Sequence, residues 1–313
     1  MLVTDQTRSH QPVLFSESLT QLAIKPAGLY VDATFGRGGH TQGILNALNA
    51  EGRLISFDKD PTAIQYAYDT IQDARLTMVH ASFTEISQVL TVSGLLGKVD
   101  GMLFDLGVSS PQLDEAERGF SFMNDGPLDM RMNTRAGYTA AEWLSKVNET
   151  ILADVIFEFG EERFSRRIAR AIVEARKISV ISTTKQLAEI VATAVPKREP
   201  FKHPATRTFQ AIRIFINSEL EDLKIALAQS LDVLAVGGRL VVISFHSLED
   251  RLVKQFMKRE SSPPEIPRHI PIKHTEFNPR LKIVHKPIFP SDEEVSKNIR
   301  ARSAVLRTAE KER

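Results

Sequence analysis

The chain contains no cysteine. Disulfides, zinc–thiolate sites, cysteine-ligated iron–sulfur clusters and covalent cysteine nucleophiles are therefore all excluded. It also lacks any apolar run approaching the roughly 18 residues needed to cross a bilayer. Met1–His10 is polar and has no apolar stretch of the kind a signal peptide needs. A cytoplasmic protein of bacterial type, with no membrane partner, is the expectation. No internal repeat, low-complexity tract or metal-ligand cluster stands out, so no metal ligand is assigned and the sequence leaves metal dependence open. What is present is ordinary for a globular chain: 313 residues, 42% hydrophobic and 25% charged. That is enough for one large domain or two unequal ones without staples.

The formal net charge is only +1, but it is unevenly placed. From Arg251 onward 15 Lys/Arg stand against 8 Asp/Glu, and in the preceding residues 25 stand against 31. A basic end on a near-neutral chain fits a local phosphate-facing surface; solvated surface charge fits it equally.

The first third alternates strand and helix patterns. Leu29–Asp32, Arg53–Asp58, Leu76–His80 and Val99–Asp105 read as strands. Gly39–Leu48, Pro61–Tyr68 and Thr84–Leu96 read as helices between them, with Asp60 and Pro61 as a helix start. One helix between successive strands implies a parallel, doubly wound sheet. From about Glu115 to Arg207 no strand pair is convincing, while Thr139–Glu142 has capping-box form and apolar residues recur at helical spacing. The α/β pattern then resumes with one long or two adjacent helices over Phe209–Leu234. Gly237 and Gly238 end them, Arg239–Ser244 is a strand, and Lys282–His285 and Ser303–Thr308 are candidate closing strands. Ser261–Pro271 is Pro-rich and reads as a loop. The expected division is an α/β domain over 1–114 and 208–313, interrupted by a helical insertion over 115–207.

The loop from Asp32 to His40 (DATFGRGGH) joins the first strand to the first long helix. Its glycines, Gly36, Gly38 and Gly39, let backbone approach a ligand closely. Asp58 ends the next strand, where an acid can accept both hydroxyls of a ribose. A dinucleotide fingerprint requires a third glycine where Thr41 stands. An adenosylmethionine loop, an acid followed by G-x-G, fits better; a dinucleotide and plain turn glycines remain alternatives. Phe83 follows the third strand and reads either as an adenine neighbour or as a core aromatic. Asp105 ends the fourth. Acids closing three of the first four strands (Asp32, Asp58, Asp105) point to one ligand crevice.

Longer motifs carry a family resemblance. They are HQPVL (10–14), DATFGRGGH (32–40), FDLGVSSPQL (104–113), GPLDMR (126–131), HPATRTFQAIR (203–213), SFHSLEDR (244–251) and SAVLR (303–307). In this order, over nearly the whole chain, the sequence resembles the MraW/RsmH family of small-subunit ribosomal RNA cytosine-N4 methyltransferases. The resemblance implies a class I (Rossmann-like) methyltransferase sheet with an inserted all-helical domain, S-adenosylmethionine as cofactor, and a decoding-centre (P-site) cytidine of 16S ribosomal RNA, within the small ribosomal subunit, as acceptor. It implies cofactor contacts at Gly38, Gly39, His40, Asp58, Phe83, Asp105 and Gln112, to which the loop reading adds Gly36. Ile299 departs from the proline more common there and touches none of these roles.

Without cysteine, transfer must go directly to a heteroatom lone pair, with no covalent intermediate. Asp105, Ser109 and Ser110 are candidate acceptors for the amino protons. His246 is a substrate-side candidate or a helix cap. Phe120 and Phe122 could stack on the base or pack in the insertion, and Asp129 with Arg131 could pair. Arg163, Arg166, Arg167, Arg170, Lys197, Arg198, Lys202, Arg207, Arg213, Arg300, Arg302 and Arg307 are the basic residues available for RNA. A nicotinamide oxidoreductase, a non-enzymatic assembly factor and a methyltransferase acting on DNA or protein are the rival readings. Oligomeric state is not fixed by the sequence, a homodimer being one option.

Overall fold

The computed structural model describes residues 12–196, 203–263 and 278–313. His10, Gln11, Lys197, Arg198, Lys202 and most of the Pro-rich stretch lie outside the described residues. In chain order the elements are α1 (Phe15–Leu22), β1 (Leu29–Asp32), α2 (Gly39–Ala47), β2 (Arg53–Asp58), α3 (Pro61–Thr70), β3 (Leu76–His80), α4 (Ile86–Val92) and β4 (Val99–Asp105). Then come α5 (Ser110–Asp114), α6 (Ala140–Lys146), α7 (Glu149–Gly160), α8 (Ser165–Ile178), α9 (Thr184–Ala194), α10 (Thr206–Asn217) and α11 (Glu219–Val233). The chain closes with β5 (Leu234–Ser244), α12 (Ser247–Ser261), β6 (Leu281–Ile283), α13 (Asp292–Lys297) and β7 (Val305–Lys311). No helix among the described residues is long and apolar enough to cross a membrane.

The chain forms two compact units. One takes in the described residues up to Asp58, Thr62–Leu106 and Leu223–Arg313. It is built on a seven-stranded sheet in the order β3-β2-β1-β4-β5-β7-β6. The first five are parallel and β7 runs antiparallel between β5 and β6. The order reverses between β1 and β4, which makes the carboxyl ends of those strands the crevice where such sheets bind ligands. Apolar side chains of the parallel strands point alternately to two cores. Val31, Phe57, Met102, Phe104 and Val242 fill one. Tyr30, Leu54, Leu103, Val241 and Ile243 fill the other.

The second unit comprises Gly107–Asp222 together with Lys59–Pro61, so it extends beyond the expected 115–207 on both sides. Two side chains account for this. Buried Asn217, at the end of α10, accepts from Met132 N–H at 2.7 Å and donates to the Met130 carbonyl at 2.7 Å. Asp60 accepts from Arg118 Nη1 at 2.7 Å and from Gln112 Nε2 at 2.8 Å. The unit has its own core, with Leu152, Ile156, Ile168, Ile172, Leu187, Val191 and Ile212 among its fully buried residues. Thr139 caps α6 in a reciprocal box with Glu142, as its spacing implied. Asp129 and Arg131 pair at 2.8 Å.

Of the two alternatives for the helical stretch over 206–233, two adjacent helices are found, divided at Ser218, which adopts a left-handed φ of 53°. One boundary differs from expectation. β5 begins before the glycines: Leu234 already pairs with Val99, and the next aligned pair is Gly101 with Arg239. The intervening residues bulge, and Gly237 (φ 78°) takes the left-handed conformation the bulge needs.

Gly126 tests the packing of the helical unit. A Cβ there would sit 2.0 Å from the Ala116 carbonyl oxygen, a backbone atom that cannot swing away. Gly126→Ala is expected to destabilise the protein by about 1–3 kcal/mol, read as a lowered midpoint in thermal or urea unfolding.

Candidate functional site

The first strand ends on Asp32, which is fully buried. Its Oδ1 accepts from Thr34 N–H at 3.1 Å and its Oδ2 from the Thr41 hydroxyl at 2.7 Å. The Thr41 and Ser56 hydroxyls lie 2.9 Å apart. Burial pushes the Asp32 carboxyl up to about 6 against the lowering effect of these bonds. Asp32 thus folds the glycine loop back onto α2 and does not itself open onto solvent. Thr41 fills the place a dinucleotide motif leaves to a hydrogen, which removes the physical basis for that alternative.

The loop is closed by contacts of its own. Phe35 N–H donates to the Phe57 carbonyl at 2.9 Å, and Gly36 N–H to Asp58 Oδ2 at 2.8 Å. Gly38 (φ 74°) precedes α2, and a Cβ on it would meet the Phe35 ring at 2.7 Å. One on Gly39 would meet Pro12 Cγ at 2.3 Å. These two glycines are therefore required by the protein's own packing, a role the sequence reading did not assign. No side chain caps the start of α2, so its leading N–H groups remain available to an anionic ligand group.

Asp105 ends β4, held by a bond from its N–H to Thr34 Oγ1 at 2.7 Å. Its side chain as a whole is 26% exposed, with Oδ2 3.6 Å from His40 Nε2. Oδ1 is fully buried and has no hydrogen-bond partner. Burial, with the charges of Asp32 and Glu249 adding to it, pushes the Asp105 carboxyl up to about 8. The His40 ring is buried and stacks on Phe15 with centroids 5.9 Å apart. Burial holds the imidazole down to about 4, against the raising effect of a hydrogen bond with the Val13 backbone. A buried polar atom left unpaired costs about 1–3 kcal/mol. The unpaired Asp105 Oδ1 marks a place built for something besides the fold.

The other expected residues divide. Phe83 lies half-buried after β3, edge-on to Phe104 at 5.7 Å. His246 caps α12: its Nδ1 accepts from Glu249 N–H at 3.4 Å, its Nε2 is 3.1 Å from Glu249 Oε1, and Glu249 Oε2 accepts from Phe245 N–H at 2.8 Å. This is the capping role that stood beside the substrate-side one. Ser109 and Gln112 belong to the helical unit, where Ser109 N–H donates to Gln112 Oε1 at 3.0 Å and Gln112 Nε2 is taken by Asp60. Both ends of the Gln112 amide are thus occupied by protein. Phe120 is buried, with the Arg118 guanidinium 5.8 Å from its ring, and Phe122 packs between His203 and Phe209. Of the basic residues, Arg213 forks onto Glu219 and Arg307 onto Asp250, so both serve structure. No group of three or more potential metal ligands occurs among the described residues.

Thr34, Thr41 and Glu249 were missed as site-forming residues. Glu249 was legible, standing three residues after His246 at capping-box spacing. The threonines carry no signal until the strand ends are placed together.

Comparison with known proteins adds the following. The MraW methylase family model matches residues 7–312. Ribosomal RNA small subunit methyltransferase H of Nitrosococcus oceani is 55% identical over 310 residues, covering 98% of each chain. The protein of the same name from Pseudoalteromonas atlantica is 56% identical over 305 residues, covering 97% of this chain and 98% of its own.

The Asp105 environment predicts a pH dependence. A carboxyl whose pKa rises on folding costs no stability below its unfolded value near 4, then progressively more as pH climbs to about 8. In the ligand-free protein, Asp105→Asn should therefore melt at higher temperature than the parent at pH 8. The gap should narrow toward pH 4; a gap independent of pH would contradict the assignment. The His246 cap predicts that His246→Ala loses about 1 kcal/mol in unfolding, while His246→Asn, a strong cap, loses little.

Proposed function

The chain belongs to the MraW methylase family, and from that premise we propose that it transfers a methyl group from S-adenosylmethionine to the exocyclic N4 of a decoding-centre cytidine of 16S ribosomal RNA. The coarser statement, a methyltransferase of small-subunit ribosomal RNA, rests on family membership and on relatives at 55 and 56% identity that span almost the whole chain. The observation that carries the finer one is the unpaired Asp105 carboxyl beside His40 at the end of β4, on the switch point of the sheet.

The residues present fit the donor. The uncapped start of α2 suits a carboxylate, and an acid ends each of β2 and β4. Gly36, Gly38, Gly39, His40, Asp58, Phe83 and Asp105 are the residues that would hold it, with Gln112 acting through its grip on Asp60. When bound, S-adenosylmethionine supplies an electrophilic methyl group on a sulfonium centre. A positive charge against Asp105 favours the ionised carboxylate that burial disfavours.

The amino group of cytosine is a weak nucleophile because its lone pair is delocalised into the ring. Two things are required of the protein: alignment of that nitrogen, which can contribute several kcal/mol, and an acceptor for its N–H bonds as positive charge builds there. Asp105 is the candidate for the second, through a carboxylate that is partly exposed at the end of β4. Ser109 is a second candidate acceptor from its loop. No strong base is needed, because the N–H becomes acidic once nitrogen is alkylated. With no cysteine in the chain, the reaction is direct in-line attack with no covalent enzyme intermediate. His246 acts as the cap that sets the end of β5, and a loss of turnover in His246→Asn would give it a part in substrate binding as well.

The test is incubation of the purified protein with tritiated S-adenosylmethionine and small ribosomal subunits lacking this modification, followed by digestion and identification of the labelled nucleoside. N4-methylcytidine is expected, with Asp105→Ala reducing its formation by about 100-fold or more. Label in another nucleoside would sink the N4 assignment. No label on any RNA, despite cofactor binding, would favour a role in assembly.

A further inference from the structure

The helical unit concentrates charge in one place. Residues 163–177 carry six Lys/Arg and one acid, within a stretch of 250 residues that is otherwise acidic on balance. The basic residues at the far end of α8 have internal explanations. Arg176 donates to the Leu144 carbonyl and Lys177 pairs with Glu174, both where a helix carboxyl end favours cations.

The near end has no such explanation. Arg163 precedes α8, and Arg166, Arg167 and Arg170 follow along its first two turns, all four exposed. Cations there oppose the helix dipole, and pairs four residues apart repel. Arg166 and Arg167 make no hydrogen bond or ion pair among the described residues, and Arg170 makes only an exposed contact with Glu149 at 3.4 Å. Two acids stand at this helix start: exposed Glu161, and buried Glu162, which accepts from Phe164 N–H at 2.8 Å. Arg167 and Arg170 also wall a groove of about 530 Å³ between α8 and α9, completed by Glu189, Ile190 and Thr193. The Arg163 guanidinium carbon sits 4.6 Å from the centre of the Phe164 ring.

We infer that this arginine face is a docking surface for the sugar–phosphate backbone of RNA, with Arg166 and Arg167 as its principal phosphate contacts. The identity of the RNA rests on the function proposed above; the surface itself rests on its charge. Four planar guanidiniums in a row suit phosphates, which they can clamp with two bonds each. The repulsion they suffer in the free protein is relieved by a polyanion. An apolar or cationic partner would leave it unrelieved.

The experiment is binding of a single-stranded fragment of small-subunit ribosomal RNA, followed by fluorescence anisotropy across a salt series. The double variant Arg166→Gln/Arg167→Gln should bind at least about tenfold more weakly at low salt. Its slope of log affinity against log salt should be shallower by about 1.4, at roughly 0.7 per lost phosphate contact. Arg166→Lys/Arg167→Lys should keep most of the slope. The glutamine variant should melt no lower than the parent, because the charges removed oppose the helix; this separates lost contact from lost fold. An unchanged slope, or no RNA binding by the parent, overturns the proposal. RNA binding with the expected slope but no N4-methylcytidine in the transfer assay would sink the reaction and leave the surface standing. N4-methylcytidine with an unaltered slope would do the reverse.

Discussion

One buried carboxylate holds the crevice in shape. Asp32 fixes Thr34 by its amide and Thr41 by its hydroxyl, Thr41 reaches Ser56 on β2, and the Thr34 hydroxyl receives the Asp105 amide on β4. Three adjacent strand ends and the start of α2 are thereby tied through a single side chain with no solvent exposure. Removing it would leave a hydroxyl and an amide without their acceptor in the interior, the costly way to lose a buried network. The same carboxylate acts at a distance on the chemistry. Its charge helps raise the Asp105 carboxyl, so the group that shapes the site also sets the protonation of the group proposed to work in it.

That coupling explains why the site is expensive when empty. Asp105 lies near Asp32 and Glu249, and its nearest basic neighbour, His40, is held neutral by burial. The fold supplies negative charge and withholds its counter-charge. A cationic ligand satisfies that arrangement and a neutral one does not, so the electrostatics that disfavour the ligand-free state are those that select for a sulfonium.

Much of this was legible in the chain. The first four strands begin and end at the residues that hydrophobic runs and terminal acids marked, because a parallel strand buried on both faces writes itself as a short apolar run. The glycine loop and the acids of β2 and β4 followed from position alone. What escaped detection depends on contacts distant in sequence. Asp32 looked like a third crevice acid, and only its threonine partners reveal it as an anchor. Gly38 and Gly39 were read for backbone approach to a ligand, and the second demand on them, that Phe35 and Pro12 leave no room for a Cβ, shows only in the packing. Arg213 and Arg307 looked like RNA contacts, yet each has a carboxylate fork at 2.7–2.9 Å. An ion pair between α12 and β7 has no local signature.

The limits of the helical unit show the same principle at larger scale. Composition placed its edges at 115 and 207, where strand-like patterning stops and restarts. Packing places them at 107 and 222 and adds Lys59–Pro61, because Asp60 and Asn217 bind backbone and side chains that belong to the helices. The chain therefore passes between units immediately after Asp58 and two residues after Asp105, the acids that end β2 and β4. The buried Arg118–Asp60 pair is better read as fixing the edge of the helical unit than as a contribution to stability, since buried ion pairs seldom gain much over apolar packing.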